Sequence, residues 1–218
     1  MVDSDIRTLI LDFDGTLGDT RQLIVKTLRE TMEVVGLHPA SEESCAATIG
    51  LPLKKCFQIL TMRDETFAER CTDIYVEELF PINSSDFVVR PFPHVVETVE
   101  TFQQKGLHLA IASSRRKFSV VKLLTQMGLK QCFPIIVGPM EVPYPKPAPD
   151  MVLEILRQTA TPKEEVLVVG DTAFDIEMGR NAGCQTCGVT YGNGSRQSLI
   201  DACADFVIDD FKELLDML

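Results

Sequence analysis

Short apolar runs recur along the chain, separated by polar segments of which several carry helical spacing. The runs at 8–11, 107–112, 135–137, 166–169, 186–189 and 206–208 have the length and composition of buried strands. Apolar strands alternating with helices predict a parallel sheet covered on both faces. After Phe118, the positions Val121, Leu124 and Met127 keep helical spacing and stop at Gly128, a helix-ending residue. Helices are also predicted over 151–159, 175–182 and 211–218. The stretch 17–90 breaks the alternation. Ile24, Leu28, Met32 and Val35 form one helical stripe ended by Gly36 and Pro39, and 41–49, 53–61 and 64–79 read as further helices without a convincing strand. The expected architecture is α/β, with a Rossmann-like parallel sheet in a three-layer α/β/α core. Residues 1–16 and 91–218 form that core, and 17–90 form a small α-helical cap inserted after the first strand.

Composition narrows the function classes. A net charge of −11 over 218 residues disfavours a nucleic-acid polymer or an anionic membrane as partner. No basic segment followed by an apolar one opens the chain, so no signal peptide is expected, and no apolar run is long enough to span a bilayer. Seven cysteines, an odd and scattered set, fit a reduced cytoplasmic protein, expected as a monomer or weak homodimer. Cys184 and Cys187 form a C-x-x-C, but zinc needs a second ligand pair and a redox pair should open a helix. His108 falls within a predicted strand and is expected in the core. The aromatic and proline-rich stretch 80–93 is expected to act as packing and hinge.

The first apolar run delivers Asp12 and Asp14 to a turn at its carboxyl end, where open α/β sheets place ligands. Two positions apart on an extended chain, they point the same way. At about 4 Å such a pair repels by roughly 4 kcal/mol at an effective dielectric of 20, unless a proton or cation intervenes.

Three further segments join this one. Asp12-Phe13-Asp14-Gly15-Thr16 is followed by Ile111-Ala112-Ser113-Ser114-Arg115, by Lys146-Pro147-Ala148-Pro149, and by Val169-Gly170-Asp171-Thr172 with Asp175 beyond it. In this order, each beside a predicted strand end, they resemble the four motifs of the haloacid dehalogenase superfamily. The likeness is greatest to phosphatases with a small helical cap, such as phosphoglycolate phosphatases. True haloacid dehalogenases lack the second aspartate and the metal, so Asp14 points to phosphoryl transfer.

The resemblance implies a Mg²⁺-dependent phosphatase acting on a small phosphorylated metabolite. Asp12 would be the nucleophile that becomes an aspartyl phosphate. Asp14 would protonate the leaving oxygen, then activate water. Asp12, Asp171 and the Asp14 carbonyl would ligate Mg²⁺, with Asp175 supporting the site. Ser113 and the N–H of Ser114, at a helix start, would bind phosphate, and Arg115 would reach the substrate. Lys146 would neutralise the phosphate and hold Asp12 charged. Gly50, in the helix break 48–53, would bring a cap loop over the site, and Lys54 or Lys55 would pair with a substrate carboxylate. A pyrophosphatase or nucleotidase of the same superfamily stays open. A β-phosphoglucomutase-type mutase is disfavoured, because such relatives usually carry a cap-loop arginine and Gly50-Leu51-Pro52-Leu53-Lys54 has none.

Overall fold

The computed structural model describes residues 6–80 and 88–218; expectations that fall on 1–5 and 81–87 lie outside the described residues. The first strand, β1 (Thr8–Leu11), has all four side chains buried, the condition of a strand covered on both faces. The two-residue strand β2 (Gly18–Asp19) then leads into four helices, α1 (Arg21–Val34), α2 (Glu42–Ala46), α3 (Leu53–Thr61) and α4 (Glu65–Asp73). A π-helical turn at Ile74–Leu79 extends α4. The chain returns through β3 (Arg90–Pro91), which pairs antiparallel with β2. It then runs α5 (Val95–Gln104), β4 (His108–Ala112), α6 (Lys117–Gln126), β5 (Ile135–Val137), α7 (Asp150–Thr159), β6 (Val166–Gly170), α8 (Ala173–Ala182), β7 (Gln185–Val189), α9 (Arg196–Asp201), β8 (Phe206–Ile208) and α10 (Leu214–Met217).

Six strands form one parallel sheet in the order β5-β4-β1-β6-β7-β8. Counted within the sheet alone this is 3-2-1-4-5-6, the Rossmann order, so the expected fold class is found. Side chains alternate between the faces with period two. Leu9, Leu11, Leu109, Ile111, Leu167 and Val169 join one cluster, while Ile10, Ala110, Ala112, Val166 and Val168 join another. The first cluster continues into the helices through Met32, Phe57 and Tyr75. Cys184 packs in the second cluster and Cys187 in the first. The C-x-x-C thiols therefore face opposite sides of the sheet, and all seven cysteines are free.

Several sequence expectations need correction. The helix α5 was not anticipated, although Val95, Thr98, Val99 and Phe102 form its buried stripe; Pro91 and Pro93 obscured its start. Helix α9 and the β2–β3 ribbon also went unread, being too short to show a period. His108 is exposed at the first position of β4, not packed in the core. His94 takes a left-handed conformation with φ +61° before α5, and its Nδ1 meets Asp210 Oδ2 at 2.8 Å. Helix α6 begins at Lys117, so Ser114 sits in a bend and not at a helix start.

Helix α8 lies close on the sheet. A Cβ added at Gly179 would stand 2.6 Å from Thr186 Cγ2 and 2.9 Å from Val168 Cβ. Alanine gains roughly 1 kcal/mol of helix propensity over glycine, but overpacking costs about 1–3 kcal/mol. Gly179→Ala is therefore expected to lower the thermal unfolding midpoint, measured by circular dichroism, whereas an open helix position would show a rise.

Candidate active site

Three parallel strands and the loop after a fourth bring the site together. Asp12 directly follows β1, and its N–H donates to the Val169 carbonyl at 2.9 Å, extending the ladder by one residue. Ser113 follows β4 and extends its ladder likewise, donating its N–H to the Val137 carbonyl at 3.1 Å. Asp171 follows β6, and Lys146 lies in the loop between β5 and α7. The short strands thus fix three backbone positions, those of Asp12, Ser113 and Asp171, at one end of the sheet, as open α/β folds do for ligand sites.

Lys146 is 2% exposed, and its Nζ donates to Asp12 Oδ1 and Asp175 Oδ1, each at 2.6 Å. Burial works against its ammonium, but Asp12 and Asp175 outweigh that and hold its pKa above the ordinary lysine value. Asp175 is the third residue of α8. Its Oδ2 accepts from the Thr172 N–H at 3.0 Å and the Thr172 hydroxyl at 2.7 Å, closing a capping box. Asp175 thus caps its helix with one oxygen and orients Lys146 with the other. Asp12 Oδ2 has no hydrogen-bond donor among the described residues.

Asp171 is fully buried. Its Oδ1 accepts from the Thr16 hydroxyl at 3.2 Å, and its Oδ2 from the Asn193 N–H at 2.6 Å and side-chain amide at 2.9 Å. The same amide reaches the Asp14 carbonyl at 3.4 Å. Asn193 was missed from the sequence. Its signal is a polar residue between Gly192 and Gly194, in the loop that follows β7. Gly15 makes this convergence possible: φ is +91°, and a Cβ there would collide with Asp171 Oδ2 and Asn193 Nδ2.

The second aspartate is held differently. Arg115 Nε donates to Asp14 Oδ1 and Oδ2 at 3.2 and 2.9 Å, and Nη2 donates to Oδ1 at 2.8 Å. The Thr20 hydroxyl adds a bond to Oδ1 at 2.7 Å. Ser113 Oγ accepts from the Arg115 N–H at 3.2 Å, which joins Ser113 to the same group. Ser114 Oγ donates instead to the Gly50 carbonyl at 2.6 Å, tying the helical insert to the sheet. Gly50 also lies over Thr172 and Phe174, which a Cβ there would meet at 3.0 and 3.1 Å. Lys54 is bound to Glu65 at 2.6 Å, and Lys55 is exposed. Neither cap lysine enters these contacts.

Charge decides what else fits. Four carboxylates, Asp12, Asp14, Asp171 and Asp175, meet two cations, Lys146 and Arg115, leaving a net charge of −2. Burial and the neighbouring carboxylates push Asp12 well above the usual carboxylate range despite Lys146. Burial, with Asp175, pushes Asp171 up to about 7 against the hydrogen bonds from Asn193. Asp12, Asp171 and Asp175 each present an oxygen, all within 4.8 Å of one another. Asn193 Oδ1 is buried beside them without a partner. Oxygen donors with a deficit of two positive charges fit a hard divalent cation.

A folded-state pKa of about 7 on Asp171, above the carboxylate value of 3.8, means that the folded chain keeps a proton the unfolded chain has lost. Chelator-treated protein is therefore expected to lose stability as pH rises from about 4 to about 7. Thermal unfolding across that window checks this, and Asp171→Asn should flatten the slope.

Comparisons with known proteins agree with this geometry. The sequence model of the haloacid dehalogenase-like hydrolases matches residues 9–189. The pyrophosphatase PpaX of Oceanobacillus iheyensis is 31% identical over 98% of this chain and 97% of its own length. The phosphoglycolate phosphatase of Vibrio parahaemolyticus is 26% identical over 100% of this chain and 98% of its own. Among solved structures, a predicted phosphoglycolate phosphatase from Haemophilus somnus superposes with a TM-score of 0.86 at 23% identity, covering 99% of both chains. With a net −2 cluster of oxygen donors at the strand ends and these likenesses along its whole length, the chain belongs to the haloacid dehalogenase-like hydrolases and stands among their phosphatases.

Proposed function

We propose that this protein is a Mg²⁺-dependent phosphatase that passes the phosphoryl group of a small metabolite to Asp12 and then to water. One observation carries the proposal. Asp12 is held by Lys146 through one oxygen while the other accepts no hydrogen bond among the described residues, inside a cluster short of two positive charges. Asp12, Asp171 and the Asp14 carbonyl would hold Mg²⁺, with Asp175 and Asn193 behind them. The ion, when bound, neutralises phosphate charge and orients the group for in-line attack.

The residues divide the remaining work. The free Oδ2 of Asp12 attacks phosphorus, and its bond to the leaving oxygen breaks. Lys146, fixed by Asp175, faces the charge on the transferring group. Ser113 can still donate its hydroxyl to a phosphate oxygen, since its Oγ only accepts from Arg115. Asp14 gives a proton to the leaving oxygen and later takes one from the water that attacks the aspartyl phosphate. The substrate proposed first is of the phosphoglycolate type. Pyrophosphate is the second reading, favoured by the 31% identical relative. With all seven cysteines free, a reducing cytoplasm suits the chain.

Asp12→Asn is expected to lose at least about a thousandfold in kcat with the fold retained; a rate near that of the parent rules out Asp12 as nucleophile. Asp14→Asn is expected to accumulate acid-quenched, phosphorylated protein, because the group that activates water is gone. Unchanged turnover of that species in rapid-quench experiments rules out this role. A panel of phosphoglycolate, pyrophosphate, nucleotides and sugar phosphates, ranked by kcat/KM with and without Mg²⁺, tests the substrate assignment.

A further inference from the structure

A phosphate ester has to approach this site against a field of its own sign. The chain carries a net charge of −11, and the carboxylate cluster at the strand ends is itself in negative excess. The basic residues are not spread evenly against that field. From Ser113 to Met140 the chain holds five cations, Arg115, Arg116, Lys117, Lys122 and Lys130, and no aspartate or glutamate. Arg115 is paired with Asp14. Arg116 and Lys117 follow it directly, as the N-cap and the first residue of α6. Both are exposed, and neither forms an ion pair among the described residues. The loop after β5, which brings Lys146 into the site, packs on the same turn. A Cβ added at Gly138 would stand 2.9 Å from the Arg115 carbonyl oxygen and 3.1 Å from the Lys117 nitrogen. That loop also brings in Glu141, whose Oε2 accepts from the Gly138 N–H at 2.8 Å, so the cations stay in excess. Further along α6, Lys122 Nζ lies 4.8 Å from the centre of the exposed Phe118 ring. Exposed positive charge therefore stands between the two loops that carry Ser113 and Lys146.

We propose that Arg116 and Lys117 steer anionic phosphate substrates to the site, reversing locally the repulsion of an acidic chain. This rests on the phosphatase reading above and adds a substrate preference: small phosphate esters, favoured in the order of their negative charge. The two side chains act through the field and not by contact. They attract substrate and transition state alike, so they set KM and leave kcat unchanged. Salt distinguishes them from the buried cations of the site. The Debye length falls from about 10 Å at 0.1 M to about 3 Å at 1 M, which cancels exposed charges at a distance. Lys146 and Arg115 sit buried against carboxylates, where screening is weak. Fields focused by a cleft change association roughly 10- to 1,000-fold, and two exposed cations belong at the low end of that range.

The experiment measures kcat and KM on phosphoglycolate and phenyl phosphate, with saturating Mg²⁺, at ionic strengths of about 0.03 M and about 0.5 M. The parent is compared with Arg116→Gln/Lys117→Gln, Arg116→Glu/Lys117→Glu and a control, Arg7→Gln/Lys105→Gln. Arg7 and Lys105 line one cavity at the opposite end of the sheet, before β1 and β4, so the control removes the same charge elsewhere. Parent kcat/KM is expected to fall with salt, more steeply on phosphoglycolate than on phenyl phosphate, which lacks the carboxylate. At low salt the glutamine pair should lose at least about threefold in kcat/KM through KM, with kcat held within about twofold. The glutamate pair should lose at least about tenfold and reverse the slope, so that salt raises its kcat/KM. The control should match the parent at both salts. The glutamine pair decides the matter alone if the glutamate pair fails to fold. A loss carried by kcat, an equal loss in the control, or salt slopes that neither substitution alters overturn the steering role and leave the phosphatase reading standing. A parent protein inert on a wider panel of phosphate esters overturns that reading and this proposal together.

Discussion

Concentrated negative charge away from water is the constraint around which this molecule is organised. Four carboxylates reach the same end of the sheet, where burial penalises every one of them. Two side-chain cations answer two of those charges, one through Lys146 and one through Arg115. Burial first, and the remaining excess with it, raises the pKa values of Asp12 and Asp171, and the excess accounts for the fit to a divalent ion. Close backbone approaches assemble the cluster. Glycine at 15 lets the first loop lie against Asp171, and the glycines flanking Asn193 let the loop after β7 close on the same residue.

Much of this was legible along the chain, for a local reason. An apolar run that ends in a polar residue places that residue at a strand terminus whatever the rest of the fold does. Asp12, Ser113 and Asp171 were located in that way, and all three lie directly beyond their strands. What spacing did not show is pairing between distant groups. Arg115 and Asp14 are 101 positions apart, and nothing in either segment announces that one would hold the other. Asp175 illustrates a subtler limit. Four residues after Asp171, it is expected from the sequence only to support the site. In fact Asp171 precedes α8, and Asp175 faces back to cap Thr172 while orienting Lys146. No sequence pattern reports how thoroughly a site is dried, so the raised pKa of Asp12 beside Lys146 was not legible either.

The helical insert and the carboxylate cluster meet on one loop. Ser113, Ser114 and Arg115 are consecutive after β4. The first accepts from the Arg115 N–H, the second bonds to Gly50 of the helical insert, and the third joins Asp14 to Phe80. Contacts from the helices therefore reach Asp14 within a few bonds. A change among the helices has a direct route to that carboxylate, without passing through the core of the sheet.

The antiparallel ribbon of β2 and β3 has a separate consequence for how such proteins diversify. Gly18 lies opposite Pro91, and Asp19 opposite Arg90, so the helices leave the sheet and return to it at neighbouring points. A segment spliced in at a closely spaced pair of ends imposes little on the scaffold that receives it. Another set of helices carried between the same two strands would meet the same cluster of carboxylates at the strand ends. Evolution is thereby free to rewrite the menu while leaving the kitchen untouched.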